Sequence, residues 1–382
     1  MASAQSSPRR GTHTGGQGSP VRRQAGGVSG HLLKIIRERV PSTQRHLAEL
    51  LGVDITTMQG WESGRRPLSA ISVGQFQTVR RRLLKCGADP ELVVLLEAAG
   101  QADAVIAHAL ENPVPSRQSV EHHPLAQWVY TRAAAHMIAW ALTGAPPAAL
   151  PQAPPGTPRR RGPTPDSPLL PAAERQAAFS HLRRWAEEAE RLGQDGALLR
   201  RQAVYLCSYD SAPDTHAWVG HMRKPMRFTF TSPLEWSDAR SVATSLTRHG
   251  EQDVLWAFID HGMRDDAGET ANLNYWAYWL GLDPLPRADD GFMASRTSQQ
   301  WDASALLRAM ASRLDPGLAC IDLNVHSVWA LLAAHPALLT ADSRLTADLA
   351  GRVRRLLDSD SVSSRARREL EQLNYGLRLT RA

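Results

Sequence analysis

From His31 onward the apolar residues recur with helical spacing. Leu32, Leu33, Ile35, Ile36 and Val40 fall at i, i+3, i+4 and i+8, Lys34, Arg37 and Arg39 lie partly opposite, and Pro41 ends the run. A second helix is predicted to start at Thr43 as its N-cap and to turn Leu47, Ala48, Leu50 and Leu51 inward before Gly52 stops it. Asp54 is placed to cap a third helix that runs to about Ser63. Further helical segments are predicted over 71–85, 90–98, 102–110 and 124–142, the last with Leu125, Trp128, Val129, Met137 and Ala141 on one side.

The intervals without apolar period divide the chain. Residues 1–29, rich in Gly, Ser, Gln and Arg, cannot offset the entropy of ordering and are expected to form a disordered basic arm whose SPRR and SPVRR pieces suit a DNA backbone. Residues 144–171 are proline-dense and read as a semi-extended linker between a domain at 30–143 and another at 172–382. Their TPRRRGP stretch loosely resembles a basic minor-groove hook but reads more readily as a solvated charge cluster. Beyond the linker, stripes at Phe179, Leu182, Ala186 and Ala189 and at Leu198, Leu199, Tyr205 and Leu206 are helical. Ser232-Pro233-Leu234-Glu235 is a capping box with Pro at the first helical position, and helices are predicted near 251–261, 270–280, 303–314, 325–335, 344–357 and 362–377. Only MRFTFT at 226–231 alternates as a strand does. The predicted class is all-α, with a C-terminal helical bundle or a TPR-like solenoid; the two LNY triplets at 273–275 and 373–375 are too short to establish a repeat.

Composition narrows the function. A chain of 382 residues exceeds the size at which single cores stop growing, roughly 250–300 residues. Cys86, Cys207 and Cys320 stand far apart with no second ligand at metal spacing, so neither a disulfide framework, a metal site nor a cofactor is expected, and a reducing cytoplasm fits. The first thirty residues lack any continuous apolar run, and the longest candidate elsewhere, VWALLAAHPALL, is broken by His335 and Pro336 and too short to span a bilayer, so no membrane association is expected. Charge is unevenly placed: residues 1–110 hold 14 Lys and Arg against 8 Asp and Glu, whereas the remainder balances at 30 against 30. An anionic partner is thus expected at the N-terminal end alone.

Residues 43–64 supply the parts of a helix-turn-helix in order: a bracing helix, a turn permitted by Gly52, and a second helix with a solvent face. Gln44, at the start of the bracing helix, is placed to reach a phosphate; Ala48 is small where helices cross; Val53, Met58 and Trp61 point inward. The outward positions of the third helix are Ile55, Thr56, Gln59 and Gly60.

The string TQRHLAELLGVDITTMQGWESGRRP resembles the lambda-repressor-like helix-turn-helix of the XRE regulator family at Thr43, Gln44, Leu47, Ala48, Gly52, Val53, Met58, Trp61, Glu62, Gly64, Arg66 and Pro67. The resemblance implies a partly buried salt bridge between Arg37 and Glu62. It implies contact with double-stranded DNA through Ile55, Thr56, Gln59 and Gly60, with Gln44, Arg65 and Arg66 on phosphates. Gly60 stands where the family often has a longer side chain, and His46 replaces the usual acidic member of the capping box, so the base-reading face is sparse. The whole chain is similar in outline to actinobacterial regulators that place such a domain before a Pro-rich linker and a long helical region.

Tyr275, Trp276, Tyr278 and Trp279, near Asp283, Asp289 and Asp290, suit a ligand pocket, though aromatic stripes at helical spacing are more often core, and Asp290-Gly291 reads as a turn. His122 and His123 beside Glu121 read as solvated loop residues rather than metal ligands. No catalytic constellation is found, and no enzyme is expected. Three functions stand: a transcriptional regulator, acting as a homodimer, whose C-terminal helices dimerise or sense a signal; a regulator that answers to a small peptide or protein partner at that region; and a DNA-binding protein of plasmid or chromosome maintenance.

Overall fold

The structure is a computed structural model that describes residues 26–111, 115–116, 118–150, 167–222, 232–295 and 301–379. Regular structure among these residues is helical throughout, with no strand, in agreement with the all-α expectation. The MRFTFT segment and the SPRR, SPVRR and TPRRRGP pieces lie outside the described residues.

The first helices follow their local signals. Helix α1 (Gly27–Arg39) buries Leu32, Leu33 and Ile36. Helix α2 (Gln44–Leu51) is capped by the Thr43 hydroxyl, which accepts from the His46 amide at 3.2 Å, and ends at Gly52 in the left-handed conformation, φ 62° and ψ 43°. Helix α3 (Ile55–Glu62) begins after Asp54, whose backbone takes the cap position while its side chain makes no capping bond. Leu50, expected inward, is 40% exposed. Helix α4 (Val73–Lys85) opens on a reciprocal capping box between Ser72 and Gln75.

Two predicted helices, 90–98 and 102–110, are one: α5 (Pro90–Glu111) passes straight through Gly100. Burying Leu92, Leu96, Ala99, Ala102 and Ile106 outweighs the roughly 1 kcal/mol that an interior glycine costs. Helix α5 is the one described helix long and apolar enough to cross a membrane; here it packs against α1. Its Asp103 carboxylate accepts from the Val28 amide at 2.8 Å and the Ser29 amide at 3.1 Å, satisfying donors that the start of α1 leaves open. Burial pushes this carboxyl up to about 7 against the pull of those hydrogen bonds.

The predicted helix 124–142 is broken in two, α6 (Pro124–Gln127) and α7 (Arg132–Thr143), and Trp128 at the break is 43% exposed rather than inward. The break is held from across the molecule. Gln202 of α9 (Ala197–Cys207) donates to the Leu125 and Trp128 carbonyls at 2.9 Å each and accepts from the Tyr130 amide at 2.7 Å, while the Val129 amide donates to the Arg287 carbonyl at 2.8 Å. Three tertiary bonds from one side chain replace the helical ladder.

Helices on the two sides of the Pro-rich stretch therefore share a core: α8 (Ala172–Arg191) packs on both α5 and α9, and the Leu170 amide donates to Ala141. Next come α10 (Thr215–His221), α11 (Pro233–Arg248), α12 (Gln252–Gly262) and α13 (Asp266–Trp279), then α14 (Ala303–Ala311), α15 (Ile321–Ala334), α16 (Leu338–Ala341), α17 (Ser343–Leu357) and α18 (Ser364–Leu379). Antiparallel neighbours α8/α9, α11/α12 and α17/α18 pack face to face, with α15 bridging α12, α13, α14 and α18. Ser232 caps α11 as predicted, its hydroxyl accepting from the Glu235 amide at 3.2 Å.

Two readings are corrected. His123 is buried, 3% exposed, with Nδ1 accepting from the Leu125 amide and its ring edge-on to Trp185; only His122 is solvated. Asp290 is more than a turn residue: its buried carboxylate pairs with Arg201 at 2.7 Å and accepts from the Ser237 hydroxyl at 2.6 Å, tying α9 to α11.

Candidate nucleic-acid interface

Residues 26–88 carry ten Lys and Arg against four Asp and Glu. Within this segment α2 and α3 are joined by a three-residue turn in which the Val53 amide donates to the Ala48 carbonyl at 3.0 Å. Glycine suits position 52: φ is positive, and a Cβ would lie 2.3 Å from Arg82 Nη1, displacing the guanidinium that donates to the Leu51 carbonyl. Arg82 thereby clamps α4 to the end of α2.

The inner side of α3 is fixed by Met58 and Trp61, 0% and 4% exposed. Its last residue, Glu62, is held by two partners. Arg37 Nε donates to Glu62 Oε1 at 2.5 Å and Nη2 to Oε2 at 3.2 Å, with Nη1 on the Ser42 carbonyl; Gln44 Nε2 donates to Oε2 at 2.6 Å. The bridge expected between Arg37 and Glu62 is present and almost fully buried. Gly30 allows α1 to approach this closely, since a Cβ there would lie 2.2 Å from the Trp61 carbonyl oxygen.

What remains outward on α3 is narrower than expected. Thr56 and Gln59 are exposed and Ile55 is half-buried. Gly60 is buried rather than outward: the Arg66 side chain lies over it, with Cδ 3.0 Å from where a Cβ would stand, while Arg66 Nη1 donates to Thr57 Oγ1 at 3.1 Å. Gln44, expected on a phosphate, spends its amide on Glu62 instead. Arg65 and Arg66 are both exposed just beyond α3, with Arg65 Nε on the Ser63 hydroxyl at 3.1 Å.

Beside this face runs an open concavity of about 1230 Å³ between α3 and α4, lined by Asp54, Thr57, Arg65, Ser72, Gln75 and Thr78 among others. The α4 side escaped the sequence reading, although the S-x-x-Q signature at Ser72 and Gln75 marks a helix start there. Among the described residues no cluster of three or more His, Cys, Asp or Glu is arranged for a metal.

The arrangement is a short, rigidly braced helix whose outer face offers a hydroxyl and an amide, flanked by two exposed guanidinium groups. Such groups hydrogen-bond base edges and phosphates respectively. No family model, no curated protein and no solved structure matches this chain.

Proposed function

We propose that residues 27–88 form a helix-turn-helix that binds double-stranded DNA, and that the chain is a transcriptional regulator acting as a homodimer. The observation that carries this reading is the pairing of exposed Thr56 and Gln59 on a helix that Arg37, Gln44 and Glu62 immobilise, in a segment with a net excess of six basic residues. Thr56 and Gln59 read base edges and Ile55 touches a thymine methyl group; Arg65 and Arg66 hold phosphates and set the register. Gly60 serves the packing of Arg66, and Gln44 positions Glu62. The similarity of residues 43–67 to the XRE family points the same way.

Selection of bound sequences from a randomised DNA library with the full chain tests the proposal. Enrichment of a palindrome with half-sites about one helical turn apart is expected. Thr56→Ala and Gln59→Ala should each reduce discrimination by roughly 1–3 kcal/mol, whereas Arg65→Ala and Arg66→Ala should weaken binding to all sequences and flatten its salt dependence. Equal losses on selected and random DNA for all four variants would show that α3 does not read sequence; binding without any enriched motif would favour an architectural role in plasmid or chromosome maintenance.

A further inference from the structure

Guanidinium groups drawn away from solvent come in two kinds among the described residues. Arg37, Arg200 and Arg201 each face a carboxylate, on Glu62, Asp238 and Asp290. Among the described residues no carboxylate pairs with Arg240, which is buried, or with the partly buried Arg132 and Arg313; their Nε atoms, like those of Arg200 and Arg201, have no hydrogen-bond partner. Arg132, Arg240 and Arg313 come from α7, α11 and the turn after α14, and two of them, Arg240 and Arg313, share one aromatic wall. The Arg240 guanidinium lies 4.0 Å from the Tyr275 ring centre and 5.1 Å from that of Trp276; Arg313 lies 5.3 Å from Trp276. Beside them Arg248 covers Tyr205 and Tyr209 at 4.6 and 4.3 Å, and His136 stands edge-on to Trp279.

The charges are close enough to disturb one another. Burial, then the nearby Arg132, with Arg240 contributing, pushes Arg313 down to about 10; burial and the charges of Arg132, Arg248 and Arg313 push His136 to about 3, so it is neutral. Ring faces attract cations but do not replace the hydration that three guanidinium groups lose, and unpaired buried charge costs several kcal/mol. Arg240 with Tyr275 and Trp276 is buried, while Arg132, His136, Arg313 and Trp279 are partly exposed and form the side from which a ligand would approach.

We propose that this cluster binds a small phosphate-bearing molecule, held by the guanidinium groups of Arg240 and Arg313 over the wall of Tyr275 and Trp276, with Arg132 adding positive charge to the site. Guanidinium forks match phosphate oxygens two at a time, and three of them favour a ligand with at least two negative charges. The stacked pair Tyr275 and Trp279, 6.0 Å apart at 21°, offers a flat surface to a ring on the same ligand.

Calorimetric titration and thermal unfolding of the full chain with sodium pyrophosphate and with adenosine diphosphate, at ionic strength matched by sodium chloride, test the proposal. One-to-one saturable binding of at least one probe is expected, with a raised Tm that chloride does not reproduce. Tighter binding of the nucleotide than of pyrophosphate would add ring stacking to the assignment, and equal binding would confine it to the phosphates. Arg313→Ala, at the half-exposed rim, should weaken binding tenfold or more, and Arg240→Met should abolish it. Absence of saturable binding by both probes, or wild-type affinity in Arg313→Ala, would overturn the site, and should Arg240→Met fail to fold, Arg313→Ala alone decides. No DNA enters the measurement, so its outcome is independent of the reading of α3.

Discussion

Two buried arginines show how differently the two ends of this chain are built. Arg37 sits under the N-terminal helices with Glu62 at 2.5 Å and a backbone carbonyl on its third nitrogen; Arg240 sits in the C-terminal half with two rings and, among the described residues, no carboxylate partner. A charge that is satisfied within the chain serves the fold. A charge left without an anion is a standing cost that the fold alone does not explain. The first region is therefore complete in itself and presents its chemistry outward, at Thr56, Gln59, Arg65 and Arg66, whereas the second leaves its chemistry open inside.

The contrast is broken most directly at Arg37. Arg37→Met leaves Glu62 buried and uncompensated and should cost about 3–5 kcal/mol in urea unfolding; a loss under 1 kcal/mol would mean that the bridge does not brace α3. A comparable test inside the C-terminal half is pH. His326 is buried between two carboxylates, with Nδ1 2.8 Å from Glu369 Oε1 and Nε2 3.0 Å from Glu269 Oε1, the second contact an ion pair rather than an aligned hydrogen bond. Burial opposes its charge, but the carboxylates prevail and raise it from 6.5 to about 9. Its contribution, about 3 kcal/mol, is fully present below pH 6.5 and is lost as pH rises through about 9. His326→Gln should flatten that decline, and an undiminished slope would remove His326 as its source.

Gln202→Leu should cost about 1–3 kcal/mol, because it strips the amide and carbonyl partners from the α6–α7 break. Hydrogen exchange should quicken first at Tyr130, and uniform quickening would argue that the break is held otherwise. The smallest effect sharpens the opening comparison: Arg240→Met should leave the ligand-free protein within about 1 kcal/mol of wild type or make it more stable, since an apolar chain of similar volume replaces an unpaired charge. A loss approaching that of Arg37→Met would show that the ring contacts themselves hold the fold.

Much of the N-terminal segment was legible because its signals are local. Thr43 as cap, Gly52 as left-handed stop, and Met58 and Trp61 as inward residues follow from spacing and backbone preference. Gly60 was misread for a tertiary reason: Arg66, six residues on, folds back over it. Gln44 was misread because its competing acceptor, Glu62, arrives from another helix. The break at Trp128 carries no strong local signal; it exists because Gln202 and Arg287 supply hydrogen bonds from distant segments. His123 looked solvated since the rings that bury it belong to α5 and α8.

What the sequence determined by itself was the helical class, the order of most helices and the basic excess of the first hundred or so residues, since periodicity, capping and charge are properties of short stretches. Only the tertiary structure decided that α5 is one unbroken helix, that helices on both sides of the Pro-rich stretch share a core, and that Arg240 and Arg313 meet on Trp276. Those facts depend on which distant side chains become neighbours, and in a helical fold that is set by how whole faces pack rather than by any residue's immediate sequence.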